Sequence, residues 1–444
     1  MAVAELPFDL MEAKLGAPSI RPGTVAKTDV IARLGSSRLP FATVIAPAGY
    51  GKTTLLAGWA ETDPRPFAWV ALDGRDDDDV MFLRYIAAAM HRVQPVAPEV
   101  FDALAGPGAS IWPTGVPLVG GALAALERPL VLVLDDLHAV ENPSCLDVLT
   151  SLCEYVPSGS QIAVASREEP ALPLARWRTR GWLHEIGVPD LRLDGQGADG
   201  LLRGAGVELD SAEVADLTEQ TEGWPAGLYL AALSLQAGAP NPARAETFTG
   251  DDRLVAAYFR CELLSRLPEA EARFLTHTSV LDRMCGGLCD AVLQTTGSAT
   301  ILEELERSNR FVVPLDRRGE WYRYHHLFGQ LLRNELKRSD PEAVPVLNRR
   351  AMAWCVANDM EAAVGYGQAA GETATVAGLV DRLALPLYYA GRMATLEEWL
   401  GWFDHDELVR YPAPAVYGAW FRALTGRPAE AQRWLALADG ATST

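Results

Sequence analysis

Positive charge is scarce in this chain of 444 residues: 39 Lys and Arg stand against 58 Asp and Glu, a formal net charge of −19. Contacts to nucleic-acid phosphates need clustered Lys and Arg. The densest basic run, Arg176-Trp177-Arg178-Thr179-Arg180, is followed closely by Glu185, so no nucleic-acid surface is expected here. Paired cysteine spacing is missing as well. Cys285 and Cys289 stand close together, but no second Cys or His pair completes a zinc site, and the six cysteines read as reduced core thiols. No apolar run approaches the length of a membrane span. Glu5, Asp9 and Glu12 at the start argue against a signal peptide. These absences point to a soluble, cytoplasmic protein.

Apolar residues are plentiful, at 49%. That is enough for real cores, and the length predicts about two to four domains. The most informative stretch is Ala46-Pro47-Ala48-Gly49-Tyr50-Gly51-Lys52-Thr53-Thr54. A β-prone run, Phe41-Ala42-Thr43-Val44-Ile45, precedes it, and a helical pattern opens at Leu55. Strand, glycine loop and helix in that order form a phosphate-binding loop. Its backbone N–H groups, with the helix N-terminus, surround an anionic triphosphate. Lys52 reaches the β- and γ-phosphates, and the Thr53 hydroxyl ligates Mg²⁺. The strict pattern starts with Gly where this chain has Ala46; a methyl is tolerable there if φ stays negative. An ordinary glycine turn is the bland alternative.

Leu130-Val131-Leu132-Val133-Leu134-Asp135-Asp136 is the second chemical feature. Five aliphatic residues in a row suit a strand buried on both faces of a parallel sheet, and acids at its end lie where open α/β sheets place ligands. Asp135 would hold the Mg²⁺ shell and Asp136 would polarise the attacking water. A further strand, Gln161-Ile162-Ala163-Val164-Ala165, ends in Ser166-Arg167. Arg167 either senses the terminal phosphate or pairs with Glu168 or Glu169 at the surface. Segments 67–72 and 184–188 bring the sheet to about five strands.

These motifs, in order, resemble the nucleotide-binding module of the STAND ATPases, in the MalT-like branch of the large LuxR-type transcriptional regulators. So do Ala165-Ser166-Arg167, Arg180-Gly181-Trp182-Leu183-His184-Glu185-Ile186, Asp190-Leu191-Arg192-Leu193, Glu222-Gly223-Trp224-Pro225-Ala226-Gly227-Leu228 and Tyr322-Arg323-Tyr324-His325-His326-Leu327-Phe328. The similarity runs from about residue 14 to the end. Lys27 departs from it, standing where the family tends to have Arg. The resemblance implies that Ala48, Gly49, Tyr50, Gly51, Lys52, Thr53 and Thr54 bind ATP or ADP with Mg²⁺. It also implies that Pro225 packs on the adenine and that His325 approaches the β-phosphate of ADP. Read physically, Gly223-Trp224-Pro225 is a helix break with Pro in the next first turn, and Trp224 reads as core. For His326 the expectation is a buried histidine bonded to a carbonyl.

The expected fold is multidomain α/β plus α. It comprises an N-terminal segment (1–22), a P-loop domain (23–194), a helical domain (195–240), a winged helix (241–339) and TPR-like helical repeats (340–444). Helices followed by a hairpin around Arg317-Arg318-Gly319-Glu320 resemble the winged-helix domain of STAND proteins. The repeats are expected from helix starts near Asn358, Gly391 and Gly426, spaced 33 and 35 residues apart. Such repeats bind partners rather than doing chemistry, and the last helix, with Trp434, Leu435 and Leu437, still expects a neighbour. Function is expected to be a nucleotide-operated regulatory switch: slow hydrolysis, ATP-dependent self-association, and an inducer or protein partner on the repeats. DNA would be bound only through a C-terminal domain missing from these residues. The alternative is a P-loop ATPase whose main role is turnover in a machine or defence effector.

Overall fold

The computed structural model describes residues 7–21, 23–105, 111–237, 248–250, 252–390 and 392–440. Glu5, Gly391 and the expected domain border at 240/241 lie outside them. The chain forms two compact units: Met1–Leu263 with Leu305–Phe311, and Leu264–Glu304 with Val312–Thr444.

The first unit is built on a five-stranded parallel sheet. Its strands are β1 (Phe41–Ile45), β2 (Phe67–Ala71), β3 (Val131–Asp135), β4 (Gln161–Ser166) and β5 (Leu183–Ile186), in the order β2-β3-β4-β1-β5. Every residue of the central strands β3 and β4 is buried, which is why both are nearly unbroken aliphatic runs. β2 lies at an edge, and its end residues Phe67 and Ala71 are only half-buried. β4 sits between the strand that leads into the glycine loop and the strand that ends in Asp135. Ile45 is in register with Ser166, so Arg167 emerges beside the start of that loop. Among the described residues, no helix is long and apolar enough to cross a membrane.

An N-terminal turn is tied onto this unit by charge. Lys14 Nζ lies 2.6 Å from Asp76 and 2.8 Å from Asp73. Burial alone pulls the ammonium's pKa down, but the two carboxylates outweigh it and hold the lysine above its ordinary range. The run Asp76-Asp77-Asp78-Asp79 is likewise spent on structure. Asp77 accepts from the backbone N–H groups of Glu141 and Asn142, Asp78 caps the helix Asp79–Val93, and Asp79 accepts from Ser144 Oγ.

In the second unit, helices Glu269–Thr278 and Gly286–Leu293 precede a hairpin of β6 (Val312–Pro314) and β7 (Tyr322–Tyr324), antiparallel as the sequence predicts. Asp316 closes the turn by accepting from the N–H groups of Arg318, Glu320 and Trp321. Met284 and Tyr322 exchange backbone hydrogen bonds at 2.7 and 2.8 Å, adding a third edge. Helix His326–Ser339 follows. His325 is buried at its N-terminus, whereas His326 is exposed and meets the Gln330 side chain. The expectation of a buried His326 is therefore corrected. In the first turn, Leu327 and Phe328 take the core face and His326 is rotated away from it.

Beyond residue 340, helices pack in consecutive pairs: Ala343–Ala357 with Ala363–Ala370, Thr373–Tyr389 with Met393–Gly401, and Pro412–Leu424 with Pro428–Gly440. A short extra helix, His405–Arg410, separates the last two pairs.

Candidate functional site

The C-terminal ends of β1, β3 and β4 converge on one spot. Helix α1 (Lys52–Thr62) starts there, preceded by Gly51 in the left-handed region at φ 80°. Ala46 is fully buried and is not among the residues of positive φ, so its methyl is accommodated. Its N–H donates to Ser166 O at 3.3 Å.

Gly49 shows why the loop needs glycine. Its φ is +81°, and a Cβ there would sit 2.6 Å from Ala226 Cβ and 2.7 Å from Trp224 Nε1. The loop is clasped at this point. Trp224 Nε1 donates to Ala48 O at 3.0 Å, and Ala226 N donates to Gly49 O at 3.1 Å. Ala226 belongs to α2 (Pro225–Ala237), whose first residue is proline, as the sequence predicts. Trp224 is fully buried core, also as predicted, and packs on Tyr258, Phe259 and Phe311.

Lys52 Nζ donates to Ala46 O at 2.8 Å and to Pro47 O at 3.1 Å. Burial lowers its pKa to about 8, with Arg167 adding repulsion and the carboxylates of Asp136 and Asp135 opposing the fall. Asp135 is 4% exposed, and its Oδ1 accepts from Thr53 Oγ1 at 3.1 Å. Burial first, then the charge of Asp136, pushes Asp135 up to about 6. A hydroxyl and a carboxylate on facing elements are the hard oxygen donors that Mg²⁺ takes from a P-loop protein, so these residues fit that ion.

Asp136 stands in the left-handed region at φ 59°, with its carboxylate about half exposed and 3.8 Å from His138 Nδ1. For a non-glycine residue that conformation costs about 1 kcal/mol or more, and it aims the second acid differently from the first. Arg167 pairs with neither Glu168 nor Glu169 but with Glu262, at 3.0 Å.

A cavity of about 1160 Å³ opens beside the loop. Gly49, Tyr50, Gly51 and Thr54 form one wall, while Pro225 and Tyr229 contribute from α2. Lys27 also lines it, with its ammonium donating to Arg192 O at 2.5 Å. At another edge the backbones of Gly23 and Gly204 meet: a Cβ on Gly204 would lie 2.6 Å from Gly23 O. Lys52, Thr53, Asp135, Asp136 and Arg167 are thus gathered at one end, and Pro225 borders the adjoining cavity. His325 lies in the second unit. Tyr258 and Glu262, which no sequence motif marked, join the site from α3 (Arg253–Glu262).

The shift of Lys52 has a measurable consequence. Its folded pKa lies below the ordinary lysine value, so the charged form opposes folding below about pH 8, and that opposition fades as pH rises towards 10.5. If Lys52 meets phosphates, it does so as the ammonium. ADP affinity is therefore expected to fall by up to about tenfold per unit as pH rises above about 8. A titration giving constant affinity from neutrality to well above that pH would mean that Lys52 does not meet the phosphates.

Fold and site together define a P-loop nucleotide-binding ATPase fold joined in one chain to a winged helix. Residues 260–344 match the family model of the MalT winged helix domain, in agreement with the resemblance read from the motifs. Over 424 residues the chain is 30% identical to the serine/threonine-protein kinase PknK of Mycobacterium tuberculosis, covering 93% of this chain and 38% of the kinase. The same figures hold for PknK of Mycobacterium bovis. The chain thus spans well under half the length of these curated relatives. Among solved structures, it is similar to a STAND protein with a tetratricopeptide repeat sensor from Pyrococcus horikoshii, at 15% identity and a TM-score of 0.37 over 95% of this chain and 59% of the other. A Walker-type ATPase of Pyrococcus abyssi gives 14% identity and a TM-score of 0.49 over 71% and 99%.

Proposed function

We propose that this chain binds ATP and ADP with Mg²⁺ and acts as a nucleotide-operated regulatory switch of the MalT/LuxR type, working in the cytoplasm. The observation that carries the reading is the convergence of Lys52, the Thr53–Asp135 pair and Asp136 around a glycine loop that also walls a cavity large enough for a nucleoside. Lys52 exchanges its loop carbonyls for the β- and γ-phosphate oxygens. Thr53 and Asp135 hold Mg²⁺, which neutralises phosphate charge. Asp136 orients the attacking water and accepts its proton. Ala48, Gly49, Tyr50, Gly51 and Thr54 present backbone and hydroxyl groups to the phosphates, and Pro225 packs on the adenine.

In this reading ADP holds a closed form, latched by His325 on the β-phosphate, and ATP with an inducer releases a self-associating one. The helical pairs after residue 340 act as TPR-like repeats that receive the inducer or a protein partner.

Light scattering of the protein with ADP and with the β,γ-imido analogue of ATP tests the switch, alongside the turnover number. Larger assemblies with the analogue and turnover near that of unassisted small GTPases, about 10⁻³ to 10⁻² per second, are expected. One unchanging mass with turnover of about 10 per second would favour the machine-like alternative. His325→Ala is expected to speed ADP release by about ten- to a hundredfold, the worth of a charge-assisted hydrogen bond, with the fold intact. ADP release at the wild-type rate would place the latch elsewhere.

A further inference from the structure

We infer that Glu262 is a specificity determinant of the nucleotide site: it competes with a third phosphate for Arg167 and so sets the preference between di- and triphosphate. The inference rests on the nucleotide-binding reading and assigns a residue outside every motif of the sequence.

Three observations carry it. Arg167 follows the last residue of β4, the strand between the P-loop strand and the Asp135 strand. It is close enough to Lys52 for its charge to be felt by that ammonium, so it belongs to the phosphate end of the site. Its guanidinium is nevertheless engaged by the Glu262 carboxylate at 3.0 Å, with both side chains about 30% exposed. A carboxylate and a phosphate are alternative planar-fork partners for the same guanidinium.

The element that supplies Glu262 is itself seated on the loop. Tyr258 and Glu262 are one helical turn apart on α3 and share a face. The Tyr258 hydroxyl lies 2.9 Å from where a Gly49 Cβ would stand, and its ring packs against Trp224, which bonds Ala48. Burial and the Glu262 charge together push the Tyr258 hydroxyl up to about 12, so it stays a neutral donor near the phosphate loop. One face of α3 thus touches the P-loop with Tyr258 and holds Arg167 with Glu262. A diphosphate needs nothing from Arg167 and leaves the pair intact. A triphosphate draws Arg167 away, and α3 loses an anchor one residue before Leu263, where the chain leaves the first unit.

The test is isothermal titration of the full chain with Mg-ADP and with the Mg-bound β,γ-imido analogue of ATP. Glu262→Gln is expected to bind the analogue about two- to fivefold more tightly, the worth of a half-exposed ion pair, with ADP affinity unchanged. Arg167→Gln is expected to weaken the analogue selectively, and in that background Glu262→Gln is expected to add nothing. Glu262→Asp keeps the charge on a shorter arm and gives a smaller shift in the same direction, which covers the case of a poorly folded Gln variant. Equal change for both nucleotides, no change for either, or a full Glu262 effect without Arg167 overturns the inference. Wild-type protein that binds neither nucleotide overturns the parent reading instead.

Discussion

Lys52→Ala is expected to weaken ATP binding by about a hundredfold or more and ADP binding by about ten- to a hundredfold. The ammonium is buried at the start of α1 and bonded to two loop carbonyls. It can pass to phosphate oxygens, and a hydrogen bond to a charged group is worth about 1.5–3 kcal/mol. One such bond, to the β-phosphate, accounts for the ADP loss, and a second, to the γ-phosphate, adds to it for ATP. Asp136→Asn is the informative companion. Its carboxylate is half exposed and bonds no loop group among the described contacts, so nucleotide affinity should hold. Hydrolysis should fall by about 10²- to 10⁴-fold, the usual worth of a positioned general base. Titration calorimetry and single-turnover hydrolysis separate the two. Wild-type affinity in the Lys52 variant would sink the phosphate-loop assignment.

Trp224→Ala is expected to destabilise the first unit by about 3–5 kcal/mol, the usual cost of deleting a buried aromatic ring. Trp224 is fully buried, stacked at 5.1 Å on Phe259, and edge-on to Tyr258 and Phe311. Its loss also frees the carbonyl of Ala48, so nucleotide affinity should drop along with the denaturation midpoint. Trp224→Phe isolates the second effect. The ring cluster survives, the Nε1 bond goes, and the cost should be about 1 kcal/mol. If the alanine variant keeps both stability and affinity, the cluster does not support the loop.

Much of this site was legible because its chemistry is local. Loop, strand and helix are consecutive from Phe41 to Thr62, and Asp135 ends a strand whose apolar run is unmistakable. The expected strand 184–188 starts one residue late and ends two late: β5 is Leu183–Ile186, in register with Phe41–Val44, and a short helix begins at Val188. What stayed hidden is contact between distant residues. Arg167 had two acids beside it in sequence, yet its partner lies 95 positions away. The Trp224 indole bonds a carbonyl 176 positions away. An indole N–H, a tyrosine and a helix-terminal glutamate have no spacing rule that announces them. The helix His405–Arg410 also escaped the repeat pattern, because a capping box and a single turn have no period to detect.

The glycine pair at the cavity edge carries a consequence of its own. Gly23 and Gly204 hold two backbones closer than any side chain permits, so the seam has no room for bulk. A single methyl at position 204 is a wedge driven between main chains, at the rim of the cavity rather than in the loop. Such a wedge would prise the nucleoside end ajar while leaving the triphosphate cradle untouched. It would therefore alter how long a nucleotide stays rather than how it is cleaved. Residence time and chemistry would then be separately adjustable, and a timer could be reset by one methyl group without touching its trigger.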